Sequence, residues 1–154
     1  MRFVFEVAGE KQINRDLLRV GERAADMRPA FAAIVDFWRS ETQLQFASQG
    51  GHASGGWKPL KPSTVAEKAR RHLRPEILRA TDGLFSSLTQ KGDPNELLEM
   101  TASEVDWGSR LPYARYHQTG TSKMPRRRPI EFTETTRRNT IKILQRHLLA
   151  GGMR

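Results

Sequence analysis

The side chains of widest chemical reach in this sequence are four histidines, His52, His72, His117 and His147, in a chain that has no cysteine. His117 keeps the most suggestive company, in the run Tyr113-Ala114-Arg115-Tyr116-His117-Gln118-Thr119-Gly120. A catalytic histidine needs a nucleophile, or an orienting carboxylate, whose position can be argued. No serine elbow, cysteine or helical carboxylate pair supplies one. The histidines show no mutual ligand spacing, so no metal site and no cofactor are expected. His117 is expected instead to hydrogen-bond backbone where a helical turn meets a loop, and Gly120 to supply the left-handed residue that ends the turn. Such chemistry belongs to turns, caps and charge, and an enzyme is not the expected class.

Charge is the second resource. The net charge is +9, and from Lys123 to Arg154 nine Lys or Arg stand against two Glu. Most of the excess therefore sits in the last fifth of the chain. Its sharpest part is Pro125-Arg126-Arg127-Arg128-Pro129, kept extended by the prolines so that the guanidinium groups cannot share one helix face. Arg137, Arg138, Lys142 and Arg146 carry the charge along a last helix. Such a block is either a solvated face or a surface for an anionic partner, nucleic acid or acidic protein. No helix-turn-helix or zinc pattern supports sequence-specific reading. Contact with DNA would be to backbone charge and sensitive to salt; pairing with acidic residues of a neighbouring protein is the equal alternative.

Two further motifs precede these. In Gly56-Trp57-Lys58-Pro59-Leu60, followed by Ser63-Thr64, a large amphipathic ring lies beside a proline turn. Trp57 can anchor a subunit interface or act as a lid over the domain's own core, and the lid is the expected role. Ile77-Leu78-Arg79-Ala80-Thr81-Asp82-Gly83-Leu84 reads as a capped helix start, where Gly83 lets backbone pack closely. No phosphate-loop spacing accompanies it.

The elements that must position these motifs follow from periodicity. Phe3, Phe5 and Val7 alternate and predict a short strand. Ile13, Leu17, Val20, Ala24 and Met27 keep helical spacing, and Pro29 opens a second helix with Phe31, Ile34, Val35 and Trp38 on its apolar face. These two helices are expected to form the main core layer. Residues 48–56 hold four glycines and two serines, which predicts an exposed, mobile loop. Ser63 or Thr64, with Glu67, is placed to cap a third helix, and Thr81 or Asp82 a fourth. Strands are expected over 97–101 and 104–108, joined by a turn at Ala102-Ser103. Pro112 opens a single helical turn, residues 121–129 are extended, and Thr133 caps the last helix, with Ile141, Leu144 and Leu148 on one side. Length sets one domain over residues 1–154. With 37% hydrophobic residues and mean hydropathy −0.64, the core is lean and part of the order is expected from partner subunits. No stretch reaches membrane-span length, and the first residues are no signal peptide.

In order, these motifs resemble the phage virion morphogenesis family, the tail-completion proteins of tailed bacteriophages. The likeness rests on Trp57-Lys58-Pro59-Leu60 with Thr64 and Lys68, Ile77-Leu78 with Thr81-Asp82-Gly83-Leu84, Tyr113-Ala114 with His117-Gln118-Gly120, and Pro125 with Arg127-Arg128-Pro129. Asp82 intervenes where the family usually has a Thr-Gly pair, and Arg126 or Arg127 stands where a small residue is commoner. The resemblance implies a small α+β fold, helices packed on a short antiparallel sheet. It further implies a structural virion protein that completes the tail at its head-proximal end or joins head to tail. Its implied place is the virion neck, assembled in the bacterial cytoplasm. The implied partners are other copies of itself in a ring, sixfold to match a tail tube, neighbouring neck, tail-tube or tail-terminator proteins, and packaged DNA, with no membrane. A basic protein that binds DNA backbone without sequence specificity is the alternative.

Overall fold

Prolines at helix starts and apolar residues at helical spacing make about half of the described residues helical. The computed structural model describes residues 10–150, so the strand expected over Phe3 to Val7 lies outside the described residues. In chain order the elements are α1 (Glu10–Ala25), α2 (Arg28–Ala47), α3 (Pro62–Arg70), α4 (Gly83–Thr89), β1 (Glu96–Met100), β2 (Val105–Ser109), α5 (Ala114–Thr119) and α6 (Glu134–Leu149). The architecture is α+β.

The central pole is α2, with α4 on one flank and α6 on another. Pro29 sits in its first turn, where a missing N–H costs nothing. Asp26 accepts the Arg28 N–H at 3.1 Å, satisfying a donor that the helix start leaves open. Ile34, Val35 and Phe46 are buried, but so are Arg39, Thr42 and Gln45. The buried face of α2 is thus half polar. Arg39 pairs with Glu96 of β1 inside the protein, both side chains almost fully covered, and also with Asp36. The other Glu96 oxygen accepts the Gly92 N–H at 2.9 Å, so the buried charges are matched.

The apolar cluster beside α2 comprises Phe46, Trp57, Ile77, Leu84 and Leu88. Trp57 meets Phe46 edge-on at 5.4 Å between ring centroids, and its Nε1 donates to the Arg128 carbonyl at 3.1 Å. Edge-to-face geometry of this kind adds to the gain from burial alone. On the other side, Trp38 packs against Phe132 and Trp107 and donates to Thr140 Oγ1 at 3.1 Å, which fixes α6 on α2.

Several local expectations are corrected. Helix α1 does not join α2 in a core layer; it packs on α6, and Ile13, Leu17 and Leu18 are 52%, 64% and 68% exposed. Its last turn is tied down through polar groups: His147 Nε2 lies against the carbonyls of Arg23 and Asp26, and Arg23 donates to the Leu148 carbonyl. Helix α3 starts at Pro62 after an extended Lys61 and has no side-chain cap, because the proline already sets the first φ. Helix α4 likewise lacks a side-chain cap; Asp82 is left-handed, with φ 58°, and its carboxylate is taken up by arginines. Thr133 does cap α6, accepting the Thr136 N–H at 3.1 Å.

Strands β1 and β2 pair antiparallel with Leu98 opposite Trp107 and Glu99 opposite Asp106. Each is offset by one residue from expectation. The turn is closed by Thr101, whose Oγ1 accepts from Ser103 and Glu104 N–H groups, in place of an Asn-Gly pair.

The glycine-rich segment after α2 is a set of turns wound on buried Gln45. Gly50 N–H donates to the Gln45 carbonyl at 2.8 Å and Trp57 N–H to the Gln49 carbonyl at 2.8 Å. The Gln45 side chain takes the Ala53 N–H and donates to Ser54 Oγ. Hydrogen bonds order what apolar burial cannot. At Gly50 φ is +89°, and a Cβ would lie 2.4 Å from the Trp57 ring, so the turn and the tryptophan lid require glycine there.

Candidate assembly surfaces

The three motifs and the basic segment, far apart in sequence, converge on one cleft of about 540 Å³. Leu60, Thr64 and Lys68 line one wall at four-residue spacing. Leu78, Thr81, Asp82, Gly83 and Leu84 form the second, and Tyr113 and His117 the third. Lys123 to Pro125 with Arg127 close it.

Two buried cations hold these walls together. Arg127 is 7% exposed; its Nε donates to the Lys58 carbonyl at 2.8 Å and its Nη2 to the Pro59 carbonyl at 3.1 Å. Lys68 Nζ donates to the carbonyls of Arg74 and Glu76 at 2.9 and 2.6 Å. Neither meets a carboxylate, and burial pushes both below their ordinary pKa values. Asp82 accepts two bonds from Arg79, both 2.9 Å, and pairs with Arg74 at 2.8 Å. The Arg79 hydrogen bond holds its carboxyl below the usual range. Between these anchors Leu78 has φ +62°, a strained state for a bulky residue that costs about 1–3 kcal/mol.

The third wall is set by α5. Tyr113 stands edge-on to His117 at 6.1 Å and its hydroxyl lies 3.4 Å from where a Cβ on Gly83 would sit. Burial, then the nearby Arg127, keeps His117 below its ordinary pKa, so it is neutral at pH 7. The expected hydrogen bond from the His117 ring to backbone is not made. Nδ1 is buried without a partner among the described residues, and it is the His117 carbonyl that accepts, from Arg127 N–H at 2.9 Å. Gln118 clamps the following segment by donating to the Ile130 carbonyl at 2.7 Å. Gly120 ends α5 with φ +77° and ψ 173°, the positive-φ residue expected there, with a ψ that turns the chain away from the helix. A Cβ there would lie 3.0 Å from Arg126 N.

The strip Arg126 to Arg128 is not one exposed surface, which corrects the expectation for it. Arg126 is exposed. Arg127 turns inward because the Lys58 and Pro59 carbonyls need donors, and Arg128 is half-buried and paired with Glu131. On α6, Arg138 is exposed and paired with Glu134; Arg137 is exposed and makes no ion pair among the described residues. A segment expected to be extended throughout, 121–129, also contains a turn closed between Thr121 and Met124.

Sequence reasoning missed the inward role of Lys68, although its four-residue step from Thr64 put both on one side of α3. It also missed an apolar notch of about 370 Å³ where Trp38, Phe132 and Ile141 meet, with Arg137 on its edge. The exposed stripe of α1 is a second apolar surface. Among the described residues no cluster of His, Cys, Asp and Glu could hold a metal, and no helix is long and apolar enough to cross a membrane.

Comparison with known proteins gives one result for family and none for individual relatives. No curated protein and no solved structure matches the chain. The model of the phage virion morphogenesis family matches residues 9–149, so it covers the cleft, the hairpin and all six helices nearly end to end. The chain belongs to the phage virion morphogenesis family, and its role lies in building the phage virion.

Proposed function

We propose that this protein is a non-catalytic part of the virion neck, which completes the tail at its head-proximal end or joins head to tail as a ring of identical copies. The observation that carries this reading is the exposed apolar stripe of α1, Ile13, Leu17 and Leu18. Its spacing is that of a buried helix face, yet α6 covers only part of α1. An exposed apolar stripe on a helix supports an association surface, and a helix face anchored at one end can be buried between copies. The neighbours in the neck are tail-tube or tail-terminator proteins, and a sixfold ring matches a tube of that symmetry.

The basic DNA-binding alternative draws less support from the geometry. Of the five arginines expected to face DNA, Arg127 is spent on backbone carbonyls, and Arg128 and Arg138 are paired with glutamates. Packaged DNA passing a ring would still meet Arg126 and Arg137, as a salt-sensitive contact with phosphate.

A phage in which this gene is interrupted tests the reading. Electron micrographs of the lysate are expected to show filled heads and tails that are separate. Intact, infectious particles without the protein would sink it.

A further inference from the structure

We propose that the cleft and the β-hairpin are the two halves of one head-to-tail contact: the acidic outer side of one copy's hairpin docks on the cationic mouth of the next copy's cleft. The inference rests on the ring reading above and names the residues that would join its subunits.

The hairpin is charged in a way that a lone copy does not explain. Glu99 and Asp106 are direct cross-strand partners, both exposed, and like charges so placed repel. Exposed Glu104 adds a third carboxylate at the turn. The cation that reaches this group is Arg110, 3.5 Å from Glu99. Three exposed carboxylates on a hairpin of two five-residue strands, in a chain of net charge +9, mark a surface shaped for a cation.

The cleft is the complement. Lys61 and Lys123 flank its mouth, exposed and without an ion pair among the described residues. Arg126, which stands between the lining residues Pro125 and Arg127 in the chain, is also exposed. Deeper in, Lys68 and Arg127 donate only to carbonyl oxygens, and burial lowers the pKa of each. Asp82, the acid in the lining, is already held by Arg74 and Arg79. A carboxylate arriving at the mouth would meet Lys61 and Lys123 first, with Lys68 and Arg127 behind them. The apolar part of the lining, Leu60, Leu78 and Met124, can take the aliphatic stems around it.

Polarity favours a contact between copies. Strand β2 runs from Val105, beside the acidic turn, to Ser109, and the chain then leads to Tyr113 at the cleft. Five residues of strand span about 17 Å, so the acidic turn and the cleft lie toward opposite ends of the hairpin; Arg110 reaches Glu99, but no cation of the cleft pairs with these acids among the described residues. Different patches at two ends make a heterologous contact, the kind that closes into a ring by rotation. DNA fits less well, because two of the five cations, Lys68 and Arg127, are recessed where a duplex phosphate does not reach.

The test uses two variants of the full chain, changed only at exposed side chains: a hairpin variant (Glu99→Gln, Glu104→Gln, Asp106→Asn) and a cleft variant (Lys61→Ala, Lys123→Ala). Thermal melts confirm that each is folded. Sedimentation is then measured at low and high salt for each variant, for the unmodified chain and for an equimolar mixture. The unmodified chain is expected to assemble, less so at high salt. Each variant alone is expected to lose self-association by about tenfold or more. The mixture is expected to give heterodimers and stop there, since one good cleft meets one good hairpin. Variants that assemble like the unmodified chain overturn this contact while leaving the ring intact. An unmodified chain that is monomeric at every concentration overturns the contact as well; if it is also missing from purified virions, the assembly reading falls with it.

Discussion

Replacing Gly50 by alanine separates two effects that the structure places at one residue. Gly50 has φ +89°, and a Cβ would lie 2.4, 2.6 and 2.7 Å from Trp57 Cδ1, Cγ and N. Holding alanine at positive φ costs about 1–2 kcal/mol, and forcing a methyl into filled space costs about 1–3 kcal/mol more. The sum, about 2–5 kcal/mol, converts at about 3 °C per kcal/mol for a domain of this size to a Tm lower by about 6–15 °C. Gly55 is the internal control: φ is +69° but nothing lies within 4 Å of its Cβ position. Gly55→Ala should therefore carry only the backbone cost, about 1–2 kcal/mol, or about 3–6 °C. Circular dichroism melts measure both, and the shift in Trp57 emission reports whether the lid has moved. Equal Tm losses for the two variants would refute the claim that the Gly50 turn is built against the tryptophan.

Other consequences follow from the charged groups. Arg39→Ala leaves Glu96 buried without its cation and should cost about 3–5 kcal/mol, read as a lower urea midpoint; a loss below about 1 kcal/mol would contradict the buried pair. Asp26, bonded by Arg28 through side chain and backbone, has its pKa lowered to about 2. Its contribution to stability is present above the unfolded carboxyl range and is lost as pH falls toward 2, and an NMR titration should place its midpoint there. In Arg28→Ala that midpoint should return toward the ordinary value of 3.8. His117 has a lowered pKa from burial and Arg127, so the folded state favours its neutral form. The stability it contributes is complete above pH 6.5 and is lost as pH falls below it. His117→Gln should flatten stability across that acid range, and an unchanged pH profile would count against it.

Local signals were legible in the sequence. Pro29 and Thr133 mark helix starts by chemistry that needs no distant partner, and the two strands were placed to within one residue. The ordered motifs carry the family resemblance by themselves. What the sequence did not show depends on contacts across the fold. The Arg39–Glu96 pair joins residues far apart in the chain, and nothing near either announces it. Three adjacent arginines look alike in sequence; only the carbonyls of Lys58 and Pro59 select Arg127 to turn inward. Periodicity put Ile13 and Leu17 on one apolar side of α1 but gave neither Leu18 nor the exposure of all three, because spacing tells which side of a helix is apolar and not what covers it. The convergence of the motifs on one cleft is likewise invisible in the sequence, where each motif by itself reads as a separate turn.

Quantitative mass spectrometry of gradient-purified virions tests the central claim most directly. A small, fixed number of copies per particle, equal to a ring and unchanged through repeated purification, is the predicted result. Particles that are intact and infectious but carry none of the protein would contradict it.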